Sequence, residues 1–403
     1  MTVTATAPAV SAEAQSREEL VAAAAALIPV LRSRSDETAR LAKLPDATIA
    51  DLEAAGVFDM TVPRLYGGMQ TSLRTFMEVI VQLAKGDGSV AWSANLICGS
   101  LWMAAALFPK SVTDTVFANG GNVRVASSLA IRDVRTRPAD GGVFIEDGFW
   151  RFNSGVDHVS WDIVALPVLN DAGEVVDKLL AILPISDVKV LDDWDPSGLR
   201  GSGSTNVAVK DIFVPDERLL AFSACLKGEY GAVHLLEEPL YRIPAPPLMV
   251  VVLVFPALGM AKAALEMFLE NVSRRGITNS PYKKQNEAVV THLQVAAASM
   301  KIDVAERLLR SWTDELDRNA ATGRSMSVTE RVTVRRDACY ASQMLWKRWR
   351  SFQAHPAGHL YPRTTVSTGS GRTSEWRPCM PASIPAWRWN CSAASCAGWS
   401  RTY

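Results

Sequence analysis

The chain has 403 residues, 48% of them hydrophobic, with 42 basic side chains against 42 acidic ones. A chain of that length buries a large core and accommodates two or three domains. Balanced charge excludes a nucleic-acid footprint or an acidic solvating tail, and no apolar run approaches the roughly 18 residues of a membrane span.

Met1–Ser16 is rich in Ala and Thr and lacks the basic n-region of a signal peptide, so it is expected to be disordered and the protein soluble and cytoplasmic. From about Arg17 the pattern is helical. Glu18–Arg32 is rich in Ala and Leu, Asp46–Gly56 spaces apolar residues near i, i+3 and i+4, and Ser72–Lys85 repeats that spacing. Pro63 and Gly67-Gly68 punctuate between them. From Asn122 to about Arg218 the period is two: Val143–Gly148 reads as a strand entering a turn, and Ile163–Leu169 and Leu179–Leu183 as strands. Leu248–Leu258 is apolar but short, which fits a buried helix. Helices return after about Pro244: Val250–Val272, Gln285–Thr313 and Ser327–Trp346 are long and nearly free of glycine, and three in succession imply a bundle. The expected fold class is α+β. A helical domain spans 17–120, a barrel-like β-domain 121–225 and a four-helix bundle 226–349. The six cysteines have neither metal-ligand nor framework spacing, so Cys98 and Cys225 read as small buried hydrophobes and no metal is expected.

The most informative stretch is 150–215. Two small-residue turns, Phe152-Asn153-Ser154-Gly155-Val156-Asp157-His158 and Ser197-Gly198-Leu199-Arg200-Gly201-Ser202-Gly203-Ser204, bracket alternating strands. The first turn sets a hydroxyl and backbone amides beside a histidine, donors that a large planar cofactor with polar edges requires. Earlier segments add Val62-Pro63-x-x-Tyr66-Gly67-Gly68 after the helix Asp46–Phe58, and Asp87-Gly88-Ser89-Val90-Ala91-Trp92 at a helix start. The β-region closes on Asp211-x-Phe213-Val214-Pro215.

Over roughly residues 20–346, this order and punctuation resemble the acyl-CoA dehydrogenase fold, and more finely its oxygenase branch, the two-component flavin-dependent monooxygenases. Phe152-Asn153-Ser154-Gly155 sits where dehydrogenases carry a W-I-T-N turn. The variant S-G-x-D-H, with Trp161 behind it, is similar to hydroxylases of phenols and polycyclic aromatics. The resemblance implies a reduced flavin, FADH2 or FMNH2, that reacts with O2 and is delivered by a separate NAD(P)H:flavin reductase. It implies an aromatic small-molecule substrate and a homotetramer or dimer. The chain has no G-x-G-x-x-G unit after a strand, consistent with no NAD(P)H site of its own. An N-oxygenase of an amine or amino sugar, an acyl-CoA dehydrogenase and a non-enzymatic flavin-fold interaction protein are the alternatives.

The resemblance also implies site roles. Ser154, by its hydroxyl or through amides including that of Gly155, is the partner of flavin N5; taken alone it is an ordinary turn serine. The protein's share is position and electrostatics, since the cofactor carries the reactivity. His158 either orients or deprotonates a phenol, or satisfies a local backbone group. Asp157 is its candidate orienting partner, although adjacent strand residues point to opposite faces. Ser127 and Ser128 stand where this fold lines the isoalloxazine; otherwise they face solvent. Trp92 and Asn95 lie three apart on one helical face, the face that abuts the substrate cavity in this fold; otherwise Trp92 is core. Arg200 meets phosphate or pairs with a surface carboxylate. Arg274 lies eleven residues before Gln285, the spacing of the dehydrogenase R-x-x-F-G…Q motif, whose Arg reaches the flavin pyrophosphate of a neighbouring subunit. The Phe-Gly of that motif is absent, and Arg275-Gly276 follows instead.

The segment 350–403 departs from all of this. It holds one acidic residue, Glu375, and no lysine, while six of the twelve tryptophans fall from Trp346 onward. Neither a folded helix nor a typical disordered tail has that composition. It reads as translation out of frame. Joining the third base of each codon to the first two of the next forces Glu across Trp389/Asn390 and Leu across Asn390/Cys391, and permits an amphipathic helix ending on a Gly-Leu turn. The family's last helix and a C-terminal histidine would then be missing, and His355 and His359 do not replace them. Sequencing the gene is expected to show one base gained or lost before Pro378–Ser383; codons incompatible with that shifted frame would refute the reading.

Overall fold

An alanine-rich run without glycine winds into helix α1 (Pro8–Ala26) in the computed structural model, which describes residues 8–118, 120 and 123–353. The helix therefore begins inside the stretch expected to be disordered. Alanine, glutamate and glutamine are strong helix formers, and a proline is well placed at the first helical position. Pro29 has no N–H to donate. The expected Glu18–Arg32 helix is accordingly split into α1 and α2 (Ile28–Ser33), followed by α3 (Ser35–Leu41) and α4 (Asp46–Ala54).

Two longer helices form the middle of the N-terminal part, α5 (Leu73–Gly86) and α6 (Gly88–Leu107), with the short α7 (Lys110–Val116) after them. The Asp87-x-Ser89 signature has a mechanical meaning. One Asp87 oxygen accepts from the Ser89 and Val90 amides at 2.7 and 3.1 Å, capping α6, while the other accepts from Ser35 Oγ at 2.7 Å. Helix α6 is apolar on every side and almost wholly buried, as befits a core helix. By length and composition it could cross a membrane, as could Ala245–Asn271, contrary to the expectation that no apolar stretch approaches that length; both lie mostly inside the fold.

Eight strands follow: β1 (Val125–Ser128), β2 (Ala130–Ala139), β3 (Gly142–Asn153), β4 (Trp161–Leu169), β5 (Val175–Pro184), β6 (Lys189–Val190), β7 (Thr205–Pro215) and β8 (Leu219–Ala221). They form two four-stranded sheets, ordered β1-β4-β5-β8 and β2-β3-β7-β6, with β1 parallel to β4. Ile145, Trp150, Val164, Leu166 and Val207 fill the space between the sheets, and Trp150 Nε1 donates to the Ala165 carbonyl at 2.7 Å. The period of two sends Ile163, Ala165, Leu180 and Ile182 to the opposite face, into the core shared with the helices. That face is one wall of the site.

Beyond the strands lie α8 (Phe222–Lys227), α9 (Pro239–Arg242), α10 (Ala245–Val252), α11 (Phe255–Asn271), α12 (Val289–Thr322) and α13 (Val328–Gln353). The expected Val250–Val272 helix is interrupted at Leu253–Val254, because Pro256 restarts it as α11. Gln285–Glu287 makes only a single tight turn, so α12 begins four residues later than expected. Helix α11 packs closely on α5 through Gly259, where a Cβ would lie 2.3 Å from the Val81 carbonyl oxygen. The Asp317 carboxylate of α12 accepts from the Leu73 and Arg74 amides at 2.8 and 3.0 Å, tying the bundle to the start of α5. Helix α13 runs past Trp349 to Gln353; the out-of-frame reading of 350–403 falls almost wholly outside the described residues.

Candidate functional site

A cavity of about 550 Å³ opens between α6, the outer face of the β1-β4-β5 sheet and the α10–α11 corner, within the range of about 300–1,000 Å³ usual for cofactor and small-molecule sites. Helix α6 lines it with Trp92, Leu96, Gly99, Ser100 and Met103, one stripe at helical spacing. Ser127, Ala165 and Leu180 supply the sheet wall, and Leu248, Met249 and Val252 the third side. Phe152 and Trp194 meet edge to face at 6.3 Å beside it, and both contribute to the lining.

Ser154 sits at one end of this cavity and is 3% exposed. Trp92 Nε1 donates to Ser154 Oγ at 3.0 Å, Ser154 Oγ shares a hydrogen bond with Ser204 Oγ at 2.6 Å, and Ser204 Oγ another with Ser202 Oγ at 2.7 Å. The Ser154 oxygen thus accepts a hydrogen bond from the indole, and its own hydroxyl proton points either to Ser204 or to a ligand. Trp92 is both core and site, and Ser204 is a partner that turn-reading alone does not single out. Ser127 also lines the cavity and is bonded to Ser100 Oγ at 2.8 Å. Ser128 reaches the lining as well, but its hydroxyl donates to the Arg151 carbonyl at 2.6 Å.

The other sequence candidates lie off the hydroxyl chain. Residues 156–158 form a tight turn instead of a strand, so Asp157 and His158 do not alternate between sheet faces. His158 is absent from the cavity lining, and its Nε2 meets the Leu44 carbonyl at 2.9 Å, the local backbone role. Burial holds its pKa below the ordinary value, against the Leu44 bond and the Asp157 and Asp46 charges. Asp157 lies 3.9 Å from Lys43 Nζ. Gly155 adopts the left-handed conformation, φ +74°, and gives its N–H to the Ser202 carbonyl at 3.1 Å, so that amide is already used. Asn95 lies off the lining stripe, fully buried, with neither amide atom partnered among the described residues. Arg274 is exposed on the loop after α11, away from the cavity. Arg200 takes the surface option, 3.5 Å from Asp195.

One buried pair behind the turn carries no motif. Asn153 Nδ2 donates to Asp162 Oδ2 at 2.7 Å, with both residues fully buried. Burial pushes the Asp162 carboxyl up to about 6, while the Asn153 amide and the Ile163 N–H act in the opposite direction.

An apolar cavity between a β-sandwich and a helical bundle, with a buried hydroxyl chain at one end, defines the acyl-CoA dehydrogenase class. Residues 13–107 match the acyl-CoA dehydrogenase N-terminal domain and residues 251–352 its C-terminal domain. Within that class, the chain is 31% identical over 317 residues to a flavin-dependent monooxygenase, oxygenase subunit HsaA, of Rhodococcus jostii, covering 79% of this chain and 82% of the relative. It is 27% identical to the oxygenase component of an FADH2-dependent resorcinol hydroxylase of a Rhizobium species, over 82% of each chain. The solved structure of XiaF from a Streptomyces species, in complex with FADH2 and glycerol, superposes with a TM-score of 0.78 at 26% identity, covering 87% of this chain and 89% of that one. The chain belongs to the oxygenase subunits of flavin-dependent monooxygenases, and is an oxidoreductase that works with reduced flavin and O2.

The Asp162 shift has a definite sign. Its folded-state pKa lies above the unfolded value of 3.8, so the native state binds the proton more tightly. The associated stability is present below about pH 4 and is lost as pH rises through about 6. For Asp162→Asn the loss disappears: denaturant unfolding is expected to show the variant gaining on wild type by about 3 kcal/mol between pH 4 and 7. A difference that does not vary with pH would show that Asp162 titrates as an ordinary carboxyl.

Proposed function

We propose that this chain hydroxylates an aromatic small molecule, receiving reduced FMN or FAD from a separate NAD(P)H:flavin reductase. The observation that carries the reading is the Trp92–Ser154–Ser204 hydrogen-bond chain at the end of an otherwise apolar cavity. A planar ring system with one polar edge fits such a place: Leu96, Met103, Leu180 and Leu248 take its faces, and hydroxyls meet its edge. The named activities of the resorcinol hydroxylase and of the HsaA relative support the substrate class.

A reduced flavin, when bound, supplies the activation of O2. The residues do the rest. Trp92 fixes the Ser154 oxygen by donating to it, which leaves that oxygen's other lone pair to accept from a ligand donor such as the N5–H of a reduced flavin. Ser204 shares the serine proton, so no hydroxyl of the pair is left unsatisfied. The aliphatic walls exclude water, which strengthens each of these hydrogen bonds. His158 holds the backbone beneath the turn, bonded to Leu44.

A homotetramer or dimer completes the reading. Val289, Leu293, Met300 and Val304 are exposed along one side of α12, an apolar stripe of the kind that marks a subunit contact. Arg274 on the adjoining loop does not line the cavity described above, so a flavin phosphate contact from it would come from a neighbouring copy.

Two measurements follow. Supplied with photoreduced FAD, O2 and a simple phenol such as resorcinol, the protein is expected to form hydroxylated product, and to form none from NADH alone. Ser154→Ala should lower product per reduced flavin by about tenfold or more, and unchanged coupling would remove Ser154 from the cofactor edge. Light scattering is expected to give two or four copies, with Leu293→Asp shifting the mass downward; a monomeric wild type would contradict the assembly.

A further inference from the structure

The cavity has a second end, which the hydroxyl chain does not explain. Among the described residues its wall includes three cations, Arg151, Lys178 and Arg335, and no carboxylate. Two of them come from different elements, β5 and α13. Lys178 stands on β5, on the same face as Leu180, opposite Pro167 of β4. Arg335 stands on α13 one turn beyond Arg331, whose Nη1 donates to the Leu226 carbonyl of α8 at 3.0 Å. Helix α8 is bound in turn to β5, where the Asp177 carboxylate accepts from Ser223 N and Oγ at 3.2 and 2.6 Å. Phe222 at the start of α8 also joins the cavity lining.

The nearest acid in sequence is thus committed elsewhere, and no carboxylate lies within ion-pair distance of the Lys178 ammonium among the described residues. Burial against aliphatic neighbours lowers the Lys178 pKa, the response of a cation short of compensating charge. A cation in that position costs free energy unless an anion arrives with the ligand. The distance along the sheet defines the anion's place. Ser154 follows Asn153, which touches Asp162, and Lys178 lies opposite Pro167, five residues further along β4. At roughly 3.3 Å per residue the two ends are about 16 Å apart, less the length of the lysine side chain.

We propose that Lys178 and Arg335 form an anion subsite at the far end of the cavity, and that the substrate carries a carboxylate remote from the ring that is hydroxylated. The assignment rests on the oxygenase reading of the same cavity. It names the substrate class more narrowly: an aryl-alkanoate or a fused-ring acid, long enough to hold its ring against the flavin bound at Ser154 while its carboxylate pairs with Lys178. A flavin phosphate shares the chemistry, so the test must separate the two sources.

The probes are ω-(4-hydroxyphenyl)alkanoates of increasing chain length and the matching primary alcohols, with binding read by tryptophan fluorescence on the full chain. Acids of six to ten carbons are expected to bind at least about tenfold tighter than their alcohols. Lys178→Met should reduce that preference below about twofold, and Lys178→Arg should retain most of it. Arg335→Met should weaken it in parallel, with circular dichroism confirming the fold. An acid preference that survives Lys178→Met overturns the subsite. Loss of FMN affinity relative to riboflavin in Lys178→Met assigns the anion to the flavin phosphate and equally overturns it. Failure of the oxygenase reading looks different: the acid preference would persist in wild type while reduced flavin and O2 gave no hydroxylated product.

Discussion

The Ser202 carbonyl is the point at which the three parts of the site meet. It accepts from Ser93 Oγ of helix α6 at 2.8 Å and from the Gly155 amide of the first turn at 3.1 Å, and it belongs to the second turn itself. Directly above it runs the hydroxyl chain from Trp92 through Ser154 and Ser204 to Ser202. Residues about 60 and 110 positions apart in sequence are therefore joined by buried polar bonds. In a low-dielectric interior each of those groups is costly unless satisfied, so the segments hold one mutual register and no other. Gly155 permits the approach: its left-handed backbone brings the turn so close to α6 that an added Cβ would stand 3.0 Å from Ile97 Cδ1.

From that constraint the rest of the cavity is largely a matter of apolar packing. Helix α6 spends its few polar side chains where the β-domain docks, with Trp92, Ser93 and Ser100 each bonded to a serine across the interface. Most of its remaining positions are apolar and buried, Asn95 being the polar exception in the core, and they fasten the helix to α5, α11 and the sheet. A cavity built this way has rigid walls and sharply localised polarity. Chemistry that must exclude water needs both properties: the apolar wall provides the exclusion, and the localised donors provide direction.

The fold was largely legible in the sequence because periodicity and caps are local signals. Asp87 and Ser72 mark helix starts by their own hydrogen bonds, and alternation along β4 and β5 marks a two-faced sheet. Boundaries shifted at Pro29 and Pro256, where a single missing N–H outweighs the apolar pattern around it. The site was legible only in part. Ser154 and Trp92 belong to short motifs and do meet in space. His158, Gly155 and Asn95 are neighbours of those residues in sequence, but a tight turn rotates His158 toward Leu44, Ser202 takes the Gly155 amide, and Asn95 falls just off the lining stripe. Adjacency along the chain says little about direction. Ser204, Asp162, Lys178 and Arg335 had no signal, because each gains its meaning from a partner on another element.

Division of the site explains why the two halves carry different chemistry. The end at Ser154 is made by α6 and the two turns, where the hydroxyls of Ser154, Ser204 and Ser202 bond one another and Trp92 donates to the first. The end at Lys178 and Arg335 is made by β5, α8 and α13, where cations enter the wall and Asp177 is held on the far side by Ser223. An end lined by hydroxyls that donate and accept suits the polar edge of a flat heterocycle. A cationic end suits a group that must be gripped but does not react. The roughly 16 Å along the sheet between them, even less a lysine side chain, exceeds the reach of a single phenol ring. Ring orientation can therefore be set by a contact far from the reacting carbon, so binding energy remote from the chemistry is available to position it.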